Sequence, residues 1–310
     1  METGFESCRL CPRACGVDRR AGPGRCGETH RLRVAYVGPH FGEEPPITGD
    51  RGSGTVFFSG CGLRCLFCQN HQISRGGLGR YVGLGDLQRL IRGMLLRYGV
   101  HNINFVTPDH FAPHVFRLIS GLRSRGAVPP VVFNVSGYQS ITMLKAAEPY
   151  VDIYLADYKY ARESLARTLS AAPDYPGVAL EAIAEMVRQK GFLSPARGAA
   201  RRGVIVRHLV LPGHVENSIH ALTSLYVEFG SELPLSLMSQ YHPVDGAGSE
   251  APRRFVEKKE FERVLAHARE LGFETLFVQF PEKERMGIPR FFPDFRSPEP
   301  FGNQARRSRP

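Results

Sequence analysis

From residue 55 onward the chain alternates between two hydrophobic rhythms. Short, nearly continuous apolar runs rich in β-branched and aromatic residues read as strands: TVFFSG (55–60), NINFVTP (102–108), VVFNVSG (131–137), VDIYLADYK (151–159), VIVRHLVLPG (204–213) and PLSLMSQYH (234–242), with LFVQF (276–280) as a further one. Between them apolar residues recur every three or four positions. Leu84, Leu87, Leu90, Ile91, Met94, Leu95 and Tyr98 make one such stripe; Phe261, Val264, Leu265, Ala268 and Leu271 make another, closed by the stop signal Gly272. These are the core faces of amphipathic helices. Strands and helices in alternation predict an α/β fold with parallel strands joined by crossover helices. Six β-α pairs suit a closed or partial barrel, where chemistry gathers at the carboxyl ends of the strands.

The polar residues fall where that geometry needs them. Period-two alternation puts Val151, Ile153 and Leu155 on one face and carries it into Asp157 and Lys159. Asn134 and Ser136 share the face of Val132, Arg207 that of Ile205 and Leu209, and Gln240 and His242 that of Met238, whereas His208 points the other way and reads as structural. Polar groups from four strands therefore converge on one rim. Buried charges are costly unless paired or used by a ligand, so the inward Asp157, Lys159 and Arg207 predict a ligand that supplies partners. After the second run, TPDHFAPH carries Asp109, His110 and His114; loop solvation is expected for at least two of these three.

Cysteine placement sharpens the picture. Cys61, Cys65 and Cys68 stand as C-x3-C-x2-C directly after the first strand. A 4Fe–4S cube is normally held by four thiolates, so three leave one iron free to chelate the amine and carboxylate of a small molecule such as S-adenosylmethionine. With His71 the same thiols would also compose a Cys3His zinc site; the position after a strand, with no second ligand pair at zinc-ribbon spacing, favours the cluster. The other four, Cys8, Cys11, Cys15 and Cys26, read C-x2-C-x3-C-x10-C and form a second metal site, zinc or iron–sulfur, with a slight preference for zinc as a staple for a segment with little core. Grouped thiols of this kind are metal ligands kept reduced, not a disulfide framework.

Composition adds limits. The 310 residues are 42% hydrophobic and 23% charged, enough for a large core. No apolar run approaches a bilayer span and METGFESCRL lacks the pattern of a leader, so a cytoplasmic protein without membrane partners is expected. The net charge is +10, but residues 281–310 hold seven basic against four acidic residues and six prolines, and Arg197, Arg201 and Arg202 sit in a loop. With no nucleic-acid motif accompanying this excess, nucleic acid is not the expected partner. The expected organisation is a Cys-rich extension over 1–50, a barrel over 51–280 and a basic, Pro-rich, disordered tail over 281–310. Arg9, Arg13, Arg19, Arg20 and Arg25 are expected to give the extension a solvated basic surface.

Several blocks in order carry a family resemblance: CRLCPRACGVDR, CGLRCLFCQNHQIS, NINFVTPDH, VVFNVSGYQS, VDIYLADYKYA, APDYPGVALEAIAEMVRQKG, VRHLVLPG and LMSQYHP. From Cys8 to about Phe280 the chain resembles the pyruvate formate-lyase activating enzyme-like branch of the radical S-adenosylmethionine superfamily, in particular members with a Cys-rich amino-terminal extension. That resemblance implies a partial (β/α)6 barrel with the cluster on Cys61, Cys65 and Cys68. It also implies a cofactor pocket containing Asn134, Ser136, Asp157, Lys159, Arg207 and His242, and a low-potential electron donor as partner. One departure stands out: where the superfamily usually reads Gly-Gly-Glu to receive the methionine amino group, this chain reads Thr107, Pro108, Asp109. The implied activity is reductive cleavage of S-adenosylmethionine to a 5'-deoxyadenosyl radical. A protein segment is the expected target; a small molecule or RNA is the alternative. A non-enzymatic iron–sulfur or zinc protein binding nucleic acid is the reading from a different class.

Overall fold

A computed structural model describes residues 4–194, 198–281 and 292–302 of the chain. Each apolar run contributes a strand, and two more strands, β1 and β3, join them: β1 (Arg33–His40), β2 (Ser53–Phe58), β3 (Arg80–Tyr81), β4 (Ile103–Val106), β5 (Val131–Val135), β6 (Ile153–Asp157), β7 (Gly203–Leu209), β8 (Leu235–Met238) and β9 (Leu276–Gln279). They form one mixed, mostly parallel sheet ordered β3-β1-β2-β4-β5-β6-β7-β8-β9. From β2 through β9 each neighbouring pair is parallel, while β1 runs antiparallel to both β2 and β3. The helices are α1 (Pro45–Thr48), α2 (His71–Ser74), α3 (Leu84–Tyr98), α4 (Ala112–Arg123), α5 (Ile141–Ala147), α6 (Glu163–Ser170), α7 (Tyr175–Lys190), α8 (Val215–Phe229) and α9 (Lys258–Glu270). Among the described residues no helix is long and apolar enough to cross a membrane.

Two apolar layers hold the sheet. On one face Phe58, Phe105, Phe133, Tyr154, Val206 and Leu237 pack with the helices in the main core. On the other face Val132, Ile153, Leu155 and Ile205 close around Ile47 of α1 and Leu193, a small plug inside the sheet. A parallel sheet covered on both faces is the usual outcome for such continuous apolar strands. The α3 stripe buries Leu87, Ile91 and Met94, but Leu90 and Tyr98 lie at its exposed margin. The helix stops at Gly99, whose φ of +59° is a left-handed position that glycine adopts without strain. At the start of α9, Glu257 and Glu260 form a reciprocal capping box.

Three features differ from the pattern-based expectation. Residues 33–48 belong to the sheet and its interior, so the boundary expected at residue 50 falls inside the main body and the Cys-rich lobe is residues 4–32. Val151 precedes β6 and packs with the helices, not with Ile153 and Leu155. The expected disordered tail is docked over residues 292–302: Gln72 donates to Asp294 at 3.0 Å and accepts from the Phe295 amide at 2.7 Å, and Phe295 and Phe301 pack on Phe57. The rest of 282–310 lies outside the described residues, as does Arg197.

His208 occupies the structural position its face predicts. It is fully buried; Nδ1 donates to the Tyr158 carbonyl at 2.6 Å and Nε2 accepts from Ser218 Oγ at 2.9 Å, which satisfies the neutral ring. Burial depresses its pKa from 6.5 to about 4. The unfolded chain then binds the extra proton, so stability is full above about pH 6.5 and falls as the pH drops toward 4. Urea unfolding is expected to show a loss on the order of 2 kcal/mol from this group between pH 7 and pH 5, and His208→Gln should flatten that slope. An unchanged slope in the variant would assign the acid sensitivity elsewhere.

Candidate active site

The inner face of the sheet encloses a cavity of about 600 Å3. Cys61, Cys65 and Cys68 open onto it from the loop after β2, and so do Asn134, Ser136, Asp157, Lys159, Arg207 and His242 from the ends of β5, β6, β7 and β8. The structure therefore brings all nine of these sequence-selected residues to one space. Cys8, Cys11, Cys15 and Cys26 stand outside it, in the amino-terminal lobe.

Local chemistry fixes the rim. Tyr175, fully buried at the start of α7, donates to the carbonyls of Ser136 and Asp157 and accepts from the Lys159 amide, all at 2.8–2.9 Å, so one hydroxyl pins the ends of β5 and β6 together. Gly137 makes this approach possible: its φ is +79° and a Cβ there would collide with the Asp157 carbonyl. Lys159 Nζ and Asp157 pair at 2.5 Å. Burial alone would lower the lysine's pKa, but Asp157 and the nearby Cys65 and Cys68 outweigh it and hold the ammonium charged. His242 is half-buried, bonded through Nδ1 to the Pro243 carbonyl at 2.7 Å and packed on Phe292 with ring centres 4.6 Å apart.

Arg207 corrects the expectation that a ligand must supply its partner. Its guanidinium bonds Glu44 through Nε at 2.8 Å and through Nη2, and meets Glu43 at 2.5 Å. All three side chains are more than nine-tenths buried. Burial would raise the Glu44 pKa, yet Arg207 and Ser236 hold it below the usual range. Glu43 also accepts from Asn104 at 2.9 Å. Strand periodicity could not find these carboxylates, because they lie in the β1–β2 connection; the acidic pair ahead of Pro45 and Pro46 is the only trace they leave.

The Cys loop is built against the lobe. The Cys61 amide donates to the Cys26 carbonyl at 3.1 Å, and a Cβ on Gly62 would lie 3.1 Å from Cys11 Sγ. Arg13 donates to the carbonyls of Gly62, Leu63, Ser170 and Ala171. Arg19, wholly buried, donates to the carbonyls of Glu28, Thr29 and His110. Two of the arginines assigned to a solvated surface are thus internal clamps. Asp109, His110 and His114 are likewise buried, not solvated. His110 and His114 bond the carbonyls of Ser59 and His30 at 2.7 Å, while Asp109 Oδ1 has no hydrogen-bond partner and its pKa is pushed up to about 6 by burial. Thr107, at the cavity wall where the resemblance departs from Gly-Gly-Glu, has a φ of +56°, a strained position for a β-branched residue.

The donor set suits a soft, thiolate-bound group. All seven cysteines are free, and burial raises the thiol pKa values of Cys61 and Cys68, so a thiophilic cationic centre bound there would have to displace their protons. Among the described residues no three Cys, His, Asp or Glu side chains meet as ligands of one ion, whether in the Cys61–His71 loop or in the lobe. Such an ion would draw its sulfurs to about 2.3 Å from a single point.

No protein-family model matches the chain. It is 25% identical over 285 residues to the uncharacterized protein MJ0674 of Methanocaldococcus jannaschii, covering 88% of this chain and 77% of that one. Among solved structures it is similar to HydG, a maturase of the FeFe-hydrogenase, with a TM-score of 0.51 at 15% identity over 77% of this chain. HydG from Carboxydothermus hydrogenoformans also gives 0.51, at 13% identity over 80%. The chain spans 54% and 57% of those two structures. The shared feature is the α/β fold with its mostly parallel mixed sheet.

Removing Arg207 would strand two buried carboxylates. Arg207→Met is expected to cost about 3–5 kcal/mol in urea unfolding at pH 8, with Arg207→Met/Glu44→Met recovering part of it. Wild-type stability in the single variant would show that the ion cluster does not hold the sheet to the β1–β2 connection.

Proposed function

We propose that this chain is a radical S-adenosylmethionine enzyme of the pyruvate formate-lyase activating enzyme-like kind, built on a partial (β/α)6 barrel. The observation that carries the reading is the opening of three free thiols at C-x3-C-x2-C spacing onto the same cavity as the inward residues of β5 to β8. The likeness to HydG supports the superfamily. Cys61, Cys65 and Cys68 are the residues that would hold a 4Fe–4S cluster. When bound, the cluster and S-adenosylmethionine supply reductive carbon–sulfur cleavage and a 5'-deoxyadenosyl radical for hydrogen abstraction. The chain's own work is positioning and exclusion of water. Asp157 and Lys159 offer a fixed dipole of opposite charges at the end of β6, and Asn134 and Ser136 offer polar groups beside it. Phe57, Phe67 and Phe277 make apolar walls.

Cys8, Cys11, Cys15 and Cys26 are proposed as ligands of a second centre. Their packing against the Cys61 loop suits an iron–sulfur group as well as zinc. The target is a protein segment, with a small molecule or RNA as the alternative, and a low-potential reductant feeds the site.

Anaerobically reconstituted protein should show a low-potential 4Fe–4S signal in electron paramagnetic resonance that replacement of Cys61, Cys65 or Cys68 by Ala abolishes. With dithionite and S-adenosylmethionine it should release 5'-deoxyadenosine. Lys159→Ala should weaken cofactor binding and leave the cluster signal intact. A signal that survives the triple Cys variant but is lost on replacement of Cys8, Cys11, Cys15 and Cys26, or the absence of 5'-deoxyadenosine from clustered protein, would sink the reading.

A further inference from the structure

The charges facing the cavity do not balance. Among its described lining residues three carboxylates, Glu43, Glu44 and Asp157, face two cations, Lys159 and Arg207, a surplus of one negative charge. Asp157 is matched by Lys159 at the end of β6, so the surplus rests on Glu43 and Glu44, which share a single guanidinium. A buried charge left without a counter-charge is costly, and a ligand of opposite sign relieves that cost.

A second feature at the same place is also incomplete. His40, at the end of β1, lines the cavity with 7% of its surface exposed, and its Nδ1 has no hydrogen-bond partner. Its ring packs on Phe301 with centres 4.2 Å apart, and Phe301 lies 5.4 Å from Phe57. Carboxylates beside aromatic faces, with a neutral imidazole to accept or donate, are the chemistry that recognises an organic cation. This end of the cavity adjoins the residues that lead to the thiols: Arg207 is the register neighbour of Asp157, whose partner Lys159 lies close to Cys65 and Cys68. Glu43 is held on its other side by Asn104, which also bonds Ser53 at the amino end of β2.

We propose that this carboxylate end is a substrate subsite that receives a positively charged nitrogen, an ammonium or guanidinium, between Glu43, Glu44 and His40. The inference rests on the radical reading for what lies at the thiol end, and it names the substrate's recognised group. That group is either a free amine or guanidine, or the Lys or Arg side chain of a polypeptide. A carboxylate or phosphate substrate is disfavoured by the same surplus.

The test is calorimetric titration of the full, anaerobically reconstituted chain with two pairs of probes. One pair is butylguanidine and its neutral counterpart butylurea; the other is a five-residue capped peptide with a central arginine and its citrulline counterpart. The cationic member of at least one pair is expected to bind about tenfold more tightly than its neutral partner, and Glu43→Gln should remove most of that preference. Preference in the butylguanidine pair alone identifies a free-molecule source, and in the peptide pair alone a protein source. Glu44→Gln and His40→Ala give the same comparison should Glu43→Gln fail to fold, judged by its melting temperature. Equal affinities within both pairs overturn the proposal. So does competition of S-adenosylmethionine with butylguanidine combined with a matching loss of S-adenosylmethionine affinity in Glu43→Gln, which would give these carboxylates to the cofactor. Release of 5'-deoxyadenosine is measured separately: its presence without cation preference removes the subsite alone, and cation preference without it removes the radical reading alone.

Discussion

A guanidinium caught between two carboxylates inside the sheet is the constraint around which the site is arranged. Arg207 comes from β7, whereas Glu43 and Glu44 come from a connection more than 160 residues earlier in the chain. Their pairing pulls the β1–β2 connection into the interior, where Ile47 then completes the apolar plug with Val132, Ile153 and Ile205. Full burial of such a side chain contributes about 1.5–3 kcal/mol. Charge and apolar packing therefore act on the same short segment: the ion cluster sets where it sits, and the plug closes the space below. The cavity above the plug exists because polar, not apolar, residues line the next level of the strands.

The amino-terminal lobe depends on a different property of arginine, its rigid fork of donors. Arg13 reaches four carbonyls in two loops, and Arg19 reaches three while lying against Phe5 and Phe111. Neither contacts a carboxylate in these bonds. Two of the positive charges that made the lobe look like a solvated basic surface are thus spent on loop carbonyls, which otherwise would lack these donors. The lobe and the Cys61 loop form one unit in consequence, and the strained Arg64 and Thr107 backbones flank it, with φ of +56° at each.

Much of this arrangement was legible in the residues, for reasons that differ by element. Strand β2 and the strands from β4 to β9 are mostly apolar, so their runs are distinct, and period-two alternation is strict enough that Asn134, Asp157, Arg207 and His242 could be placed on one face before any fold was known. Helix α3 was readable from its stripe, yet Leu90 and Tyr98 at its edge were not separable from the buried Leu87 and Ile91, because the stripe is wider than its contact. Strands β1 and β3 escaped notice: β1 has mixed exposure and a register shift between Val34 and Tyr36, and β3 has two residues. The partners of Arg207 were hidden for a stronger reason. Glu43 and Glu44 sit in no periodic element, and long-range pairing of charges has no local signature. The same holds for Arg13 and Arg19, whose partners are backbone carbonyls that carry no residue identity at all.

The docking of residues 292–302 has a consequence for how the chain is made. Gln72, just after the thiol loop, finishes its hydrogen bonds with Asp294 and Phe295, residues 222 and 223 positions later. A ribosome adding about 5–20 residues per second needs roughly 11–44 s to cover that distance. For that interval the Cys61, Cys65 and Cys68 loop has been synthesised but the segment that packs Phe295 and Phe301 over its neighbours has not. The order of synthesis thus completes the thiol loop well before the aromatic side chains that finish the packing beside it.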